Sequence, residues 1–258
     1  MTSSFSPQRE TGSWLQRSLN RNASFRLFCF PPSGVGSSLF QTWHRYLTQE
    51  IEVCAIQLPG RETRFREAPY ENLASLVDRL VEVLPAYFDL PFAFYGHSMG
   101  AILSFELVRK LRRLNIAGPA HLFVAAYRAP HLSAREKPIH KLPDGEFLAE
   151  LSRRYEAIPQ ELLESSELLE LFLPPLRADF TMLEEWDFSE EALLDCPLSA
   201  FGGLQDQSVT RDELVAWGTR TSSTFDLTML PGGHLFVRNS YPLLLRAISN
   251  KLDGFLNR

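Results

Sequence analysis

A chain of 258 residues, 45% hydrophobic and 22% charged, can bury a sizeable core without disulfides or a structural metal. That length fits one α/β domain carrying an insertion better than two independent domains. A formal net charge of -5, with no basic run or stacking platform, speaks against nucleic-acid binding.

Residues 1–24 form a polar opening with no apolar signal core, expected to be frayed or loosely docked. Residues 25–30 read as a strand and 53–57 as another. Residues 72–88 place Leu73, Leu76, Val77, Leu80, Val81 and Leu84 at helical spacing. A strand over 92–95 is followed by a helix over 99–114, whose basic end (Arg109, Lys110, Arg112, Arg113) suits the negative end of its dipole. Residues 121–126 are the next strand. Between 142 and 194 this rhythm breaks into Leu/Glu-rich amphipathic segments, with Pro143, Pro159, Pro174 and Pro175 expected at segment boundaries. It resumes with a strand over 198–202, a helix near 211–217, a strand over 225–230 and a closing helix over 241–255.

Alternating strands and helices imply βαβ units. The expected architecture is therefore α/β, a mostly parallel central sheet flanked by helices. The domain runs over residues 25–258, with a helical lid insertion over about 142–194. Cys29, Cys54 and Cys196 are widely spaced and lack CxxC spacing, which points to buried reduced thiols, with a catalytic cysteine as the lesser alternative. No apolar stretch approaches the ~20 residues that span a bilayer. The expected protein is cytoplasmic, free of membrane and nucleic acid, and in the simplest case a monomer.

The strongest local signal is Gly96-His97-Ser98-Met99-Gly100, a G-x-S-x-G between a strand and a helix. That setting resembles the nucleophile elbow of α/β-hydrolases, in which a serine sits on a strained turn above a helix N-terminus. The serine needs a base. His97 is expected to point away from Ser98, and His44, His121, His131 and His140 have packing or surface contexts. His234, in Pro231-Gly-Gly-His234 between the last strand and the last helix, has the position of the base. The acid must fall between them. Asp206 follows a strand and its Gly202-Gly203 turn. Asp179, Asp187 and Asp195 belong to the insertion, where acids are usually solvated or capping; Asp212 suits a helix cap, and Asp226 begins a strand at the wrong end. Met99 N–H is the expected first oxyanion donor, and the loop Pro31–Gly36 the source of the second. A phosphate-binding reading of Gly34-x-Gly36 lacks a third glycine and a Walker lysine.

Taken together, Phe28-Cys-Phe-Pro-Pro-Ser-Gly-Val-Gly36, Trp43, Leu58-Pro-Gly-Arg-Glu62, Gly-His-Ser-Met-Gly, Leu176-Arg-Ala-Asp179 and Pro-Gly-Gly-His234 resemble the type II thioesterases. These accompany polyketide synthases and non-ribosomal peptide synthetases, and the vertebrate medium-chain hydrolase associated with fatty-acid synthase is similar. The resemblance covers nearly the whole chain. It implies Ser98 as nucleophile, Asp206 as acid, His234 as base, Ser33 N–H as second oxyanion donor, and no metal or cofactor. Ser33 stands where the family usually has alanine, and Gly34-Val35 replaces a more usual Gly-Gly. The implied activity removes stalled acyl groups from the phosphopantetheine arm of acyl or peptidyl carrier proteins. Leu162, Leu163, Leu168, Leu169, Leu171, Phe172 and Leu173 would mostly pack on the sheet, with a minority facing an acyl pocket. The alternatives are a carboxylesterase or lipase with the same triad, and a catalytically silent carrier-protein-binding module.

Overall fold

A computed structural model describes residues 14–18, 20–155 and 165–256. Seven strands form one sheet: β1 (Leu15–Arg17), β2 (Phe25–Phe30), β3 (Ile51–Ile56), β4 (Phe92–His97), β5 (His121–Ala125), β6 (Leu198–Gly203) and β7 (Phe225–Leu230). Their spatial order is β1-β3-β2-β4-β5-β6-β7. β1 runs antiparallel to β3, and every other pairing is parallel.

Buried parallel strands must be apolar on both faces, and β2 shows how. Phe28 and Phe30 join the core cluster under helices α1 (Leu73–Val83) and α2 (Met99–Arg113). Phe25, Leu27 and Cys29 point the other way, into the cluster under the closing helix, α5 (Tyr241–Leu256). Charge enters this strand only at Arg26, which bonds Glu52 of β3 at 2.8 Å; Arg17 of β1 pairs with the same carboxylate. α1 lays Leu73, Leu76, Val77, Leu80 and Val83 on the sheet, and its N-cap Asn72 accepts from Ser75 N at 3.0 Å. The basic end of α2 does more than complement a dipole. Arg109 bonds Ser189 O at 2.6 Å, and Arg112 bonds the carbonyls of Ala192 and Leu193 at 2.8 Å. The chain approaching β6 is thereby clasped against α2.

The sheet begins earlier than the sequence reading has it. Trp14 and Leu15 are buried, Gln57 N donates to Trp14 O at 2.9 Å, and the Arg64 guanidinium lies 4.0 Å from the Trp14 ring. A three-residue edge strand is too short to carry a periodicity. The rest of the expected opening segment, residues 1–13 and 19, lies outside the described residues.

Between β5 and β6 the chain forms α3 (Asp144–Tyr155) and α4 (Ser166–Glu184). These pack largely on each other, through Ile139, Phe147, Leu151 and Phe180, with Leu173 and Leu176 alongside. Leu168, Leu171 and Phe172 are exposed, so the expectation that most of these side chains cover the sheet does not hold for them. Leu162, Leu163 and Pro159 lie outside the described residues. Pro174 and Pro175 do not end a helix: both lie inside α4. Each lacks an N–H for the carbonyl one turn back. Burial of Ala178, Asp179 and Phe180 beyond them keeps the helix going. No helix among the described residues is long and apolar enough to cross a membrane.

Candidate active site

Four loops converge at the carboxyl ends of neighbouring parallel strands, where open α/β sheets bind ligands. Ser98 follows β4, Asp206 follows β6, His234 follows β7 and Ser33 follows β2. Ser98 has φ 53° and ψ -116°, a strained backbone for a side-chain-bearing residue, held by its N–H donating to Ala125 O at 2.8 Å. The flanking glycines are required by close approach. A Cβ on Gly96 would stand 2.0 Å from Gly100 O, and one on Gly100 2.2 Å from Phe30 O. Met99 opens α2 directly after Ser98, so its N–H belongs to the unpaired first turn of a helix.

His234 Nε2 lies 2.9 Å from Ser98 Oγ, and its Nδ1 lies 3.0 Å from Asp206 Oδ2. The imidazole and carboxylate side chains are 6% and 1% exposed, so this chain of hydrogen bonds is screened little by water. Burial alone would push the Asp206 carboxyl up. Its hydrogen bond and charge pairing with His234, with two more hydrogen bonds from Ser208, outweigh that and hold it below the usual carboxylate range. Asp206 is thus an anion placed to orient Nδ1–H of His234. A cavity of about 680 Å³ opens over Ser98 and His234, walled by Leu151, Tyr155, Leu171, Phe172, Leu176 and Phe180 of the insertion and by the Pro32–Gly36 loop.

Residues 25–252 match the thioesterase domain family model. The chain belongs to the thioesterase family. It is 40% identical over 227 residues to the gramicidin S biosynthesis protein GrsT of Aneurinibacillus migulanus, covering 88% of both chains. The structure resembles RedJ, the thioesterase of the prodiginine pathway in Streptomyces coelicolor, with TM-score 0.83 and 35% identity over 89% of this chain and 91% of that one. It also resembles the type II thioesterase BorB of the borrelidin cluster, with TM-score 0.82 and 31% identity over 93% and 98% of the two chains. This thioesterase therefore has the α/β-hydrolase fold of its relatives and acts as a serine hydrolase on thioesters.

The structure brings together Ser98, His234 and Asp206, and sets Ser33 on the wall of the same cavity. His97 is fully buried. Its Nε2 donates to His234 O at 2.8 Å and its Nδ1 accepts from Tyr95 Oη at 3.0 Å, the tautomer that serves both contacts. Burial first, and then the neighbouring His234, lower its pKa to about 3, so it is a neutral brace behind His234. His140 bonds Glu184 at 2.7 Å beneath the insertion, and His121 bonds Ser199 at 2.8 Å at the opposite end of the strands.

Asp179 is a correction. Expected to be solvated or capping, it is 1% exposed and takes a bidentate pair from Arg61 at 2.6 and 2.8 Å. The same carboxylate accepts from Gly34 N at 2.7 Å. The Leu176–Asp179 and Leu58–Glu62 segments thus meet beneath the loop that carries Ser33. Glu62 holds the far side of that loop through Ser37 Oγ at 3.1 Å and Ser38 N at 3.2 Å. Two further contacts escaped the sequence reading. Ser208 Oγ donates to Asp206 Oδ1 at 2.7 Å and lies 2.8 Å from His234 Nδ1. The Tyr155 ring, at the end of α3, packs 4.9 Å from the His234 ring. A serine two positions after an aspartate, and a tyrosine ending a helix, carry no pattern that marks them.

Proposed function

We propose that this thioesterase clears acyl groups from the phosphopantetheine arm of an acyl or peptidyl carrier protein, through an acyl-enzyme on Ser98. The observation that carries the reading is the Ser98–His234–Asp206 hydrogen-bonded chain under an apolar-walled cavity. In the reaction Ser98 Oγ attacks the thioester carbonyl while its proton passes to His234 Nε2. The carbonyl oxygen becomes an oxyanion facing Met99 N–H and Ser33 N–H. Collapse breaks the C–S bond, and the departing thiolate takes the proton from His234. Water then repeats the sequence on the Ser98 ester. Asp206 keeps Nδ1 protonated and stabilises the imidazolium throughout. Nucleophile, base and oxyanion donors all come from the chain.

In this reading the insertion, about residues 142–194, serves as a lid over the acyl chamber. The enzyme works as a monomer in the cytoplasm beside its synthase. The names of GrsT, RedJ and BorB, all tied to biosynthesis of a natural product, support the carrier-bound substrate. The test is a panel of acyl-loaded carrier proteins set against the matching acyl-CoA thioesters and oxygen esters. Preference for the carrier-bound acyl group is expected. Equal or better turnover of the oxygen esters makes the protein an esterase, and failure to label Ser98 with a fluorophosphonate makes it a silent binding module.

A further inference from the structure

We propose that Tyr155, the last residue of α3 in the insertion, is a positioning residue that keeps the His234 imidazole in place while Ser98 carries the acyl group. This rests on the Ser98 acyl-enzyme reading above. The Tyr155 and His234 rings lie 4.9 Å apart, centroid to centroid, with their planes at 57°, a separation at which aromatic rings attract one another. Tyr155 also lines the cavity that holds Ser98 and His234. Burial pushes its phenol up to about 12, so it stays neutral and offers His234 a ring and no charge. That ring is itself held. Phe180 of α4 packs against it at 5.7 Å, and Phe147 of α3 meets Phe180 edge-on at 5.6 Å. Phe180 is buried and follows Asp179, the carboxylate that Arg61 and Gly34 N bind. A run of ring contacts thus leads from the interior of the insertion to the base.

The contact matters most in one state of the reaction. In the free protein the imidazole is fixed at both edges, by Ser98 Oγ at 2.9 Å from Nε2 and by Asp206 Oδ2 and Ser208 Oγ at 3.0 and 2.8 Å from Nδ1. Acylation turns Ser98 Oγ into an ester oxygen with no proton to give, so those polar contacts remain on the Nδ1 edge alone. A ring held at one edge can pivot. Tyr155, packed on it from the insertion, limits that pivot and leaves Nε2 aimed at the ester. Deacylation needs this more than acylation does. A thiolate is a weak base and leaves with little help, whereas water must lose a proton to Nε2 as it attacks. The water oxygen bonds to the acyl carbon, the bond from that carbon to Ser98 Oγ breaks, and the proton on Nε2 returns to Oγ. Tyr155 exchanges neither proton nor electron in these steps.

Tyr155→Leu, Tyr155→Phe and Phe147→Leu are compared with the wild type. Leucine keeps an apolar group against Phe180, and Phe147 is a ring of the same cluster one contact further from His234. Two quantities are read: the decay of the acyl mass on Ser98 after a pulse of acyl thioester, and kcat/KM for thiol release, which reports acylation. In Tyr155→Leu the decay is expected to slow about 3- to 10-fold, the worth of one ring pair, with kcat/KM within about twofold of the wild type. Tyr155→Phe keeps the ring and should match the wild type in both, and Phe147→Leu should leave the decay unchanged. Wild-type decay in Tyr155→Leu overturns the assignment. Equal losses in decay and kcat/KM overturn it as general damage to the fold. Tyr155→Phe as slow as Tyr155→Leu overturns it in favour of the hydroxyl, and the same slowing in Phe147→Leu in favour of the insertion as a whole. If the wild type never carries the acyl mass on Ser98, the acyl-enzyme reading fails and this assignment with it. If it does and Tyr155→Leu deacylates at the same rate, the assignment alone fails.

Discussion

Asp179→Ala removes one partner of a pair whose side chains are 5% and 2% exposed, and leaves the Arg61 guanidinium buried without its counter-charge. Two charge-assisted bonds at 2.6 and 2.8 Å are lost, and with them the acceptor of Gly34 N. Stranding one member of a buried pair costs about 3–5 kcal/mol, a large share of the ~5–15 kcal/mol that holds a domain folded. Asp179→Asn keeps an acceptor for Gly34 N and half the geometry for Arg61, and is expected to lose less. Replacing both residues, as Arg61→Met with Asp179→Leu, removes the buried charges together and is expected to be more stable than Asp179→Ala alone. Urea unfolding measures all three, together with the single variants Arg61→Met and Asp179→Leu. Because the pair sits beneath Gly34, kcat of Asp179→Ala is expected to fall even at urea-free stability sufficient to keep it folded. A loss below about 1 kcal/mol for Asp179→Ala, or a double variant as unstable as the two singles summed, would refute the reasoning.

Ser208→Ala should lower kcat by about 3- to 10-fold, the worth of one hydrogen bond, with little change in KM, while Ser208→Thr restores it; wild-type kinetics in Ser208→Ala would remove Ser208 from the site. Burial first lowers the pKa of His97 to about 3 and of His121 to about 4. Both take up a proton in the unfolded chain below about pH 6.5 but not in the folded protein. Stability is therefore complete above that pH and is lost as pH falls toward those values. Urea midpoints from pH 7 to 4.5 should show this slope, and His121→Gln should flatten it by about one proton; an unchanged slope would contradict it. In hydrogen exchange, amides of 167–173 in α4 are expected to open before those of 176–184, which Asp179 and Phe180 tie down. Equal protection along α4, unchanged by acyl binding, would make the lid a fixed wall.

Most of the sheet was legible because a buried parallel strand is a short apolar run and a flanking helix a 3.6-residue stripe, as β2 and α1 illustrate. Ser98 was legible for a local reason: only small residues fit at Gly96 and Gly100, so the turn writes its own signature. His234 and Asp206 could be placed because each follows a strand in the order the fold demands. What stayed hidden depends on contacts distant in sequence. Arg61 and Asp179 are 118 positions apart, and nothing local distinguishes a buried partner from a solvated acid. The proline pair in α4 breaks a local rule that tertiary burial overrides. Ser208 is an ordinary loop serine until the loop folds beside His234.

The central claim is that acyl transfer passes through Ser98. Mixing the protein with an acyl thioester, quenching in acid within milliseconds to seconds, and sequencing the peptides by mass spectrometry tests it most directly. The acyl mass is expected on Ser98, absent in Ser98→Ala, and trapped for longer in variants of Asp206 that slow deacylation. Full thioester turnover by Ser98→Ala, or an acyl mass on Cys29, Cys54 or Cys196 in place of Ser98, would contradict it.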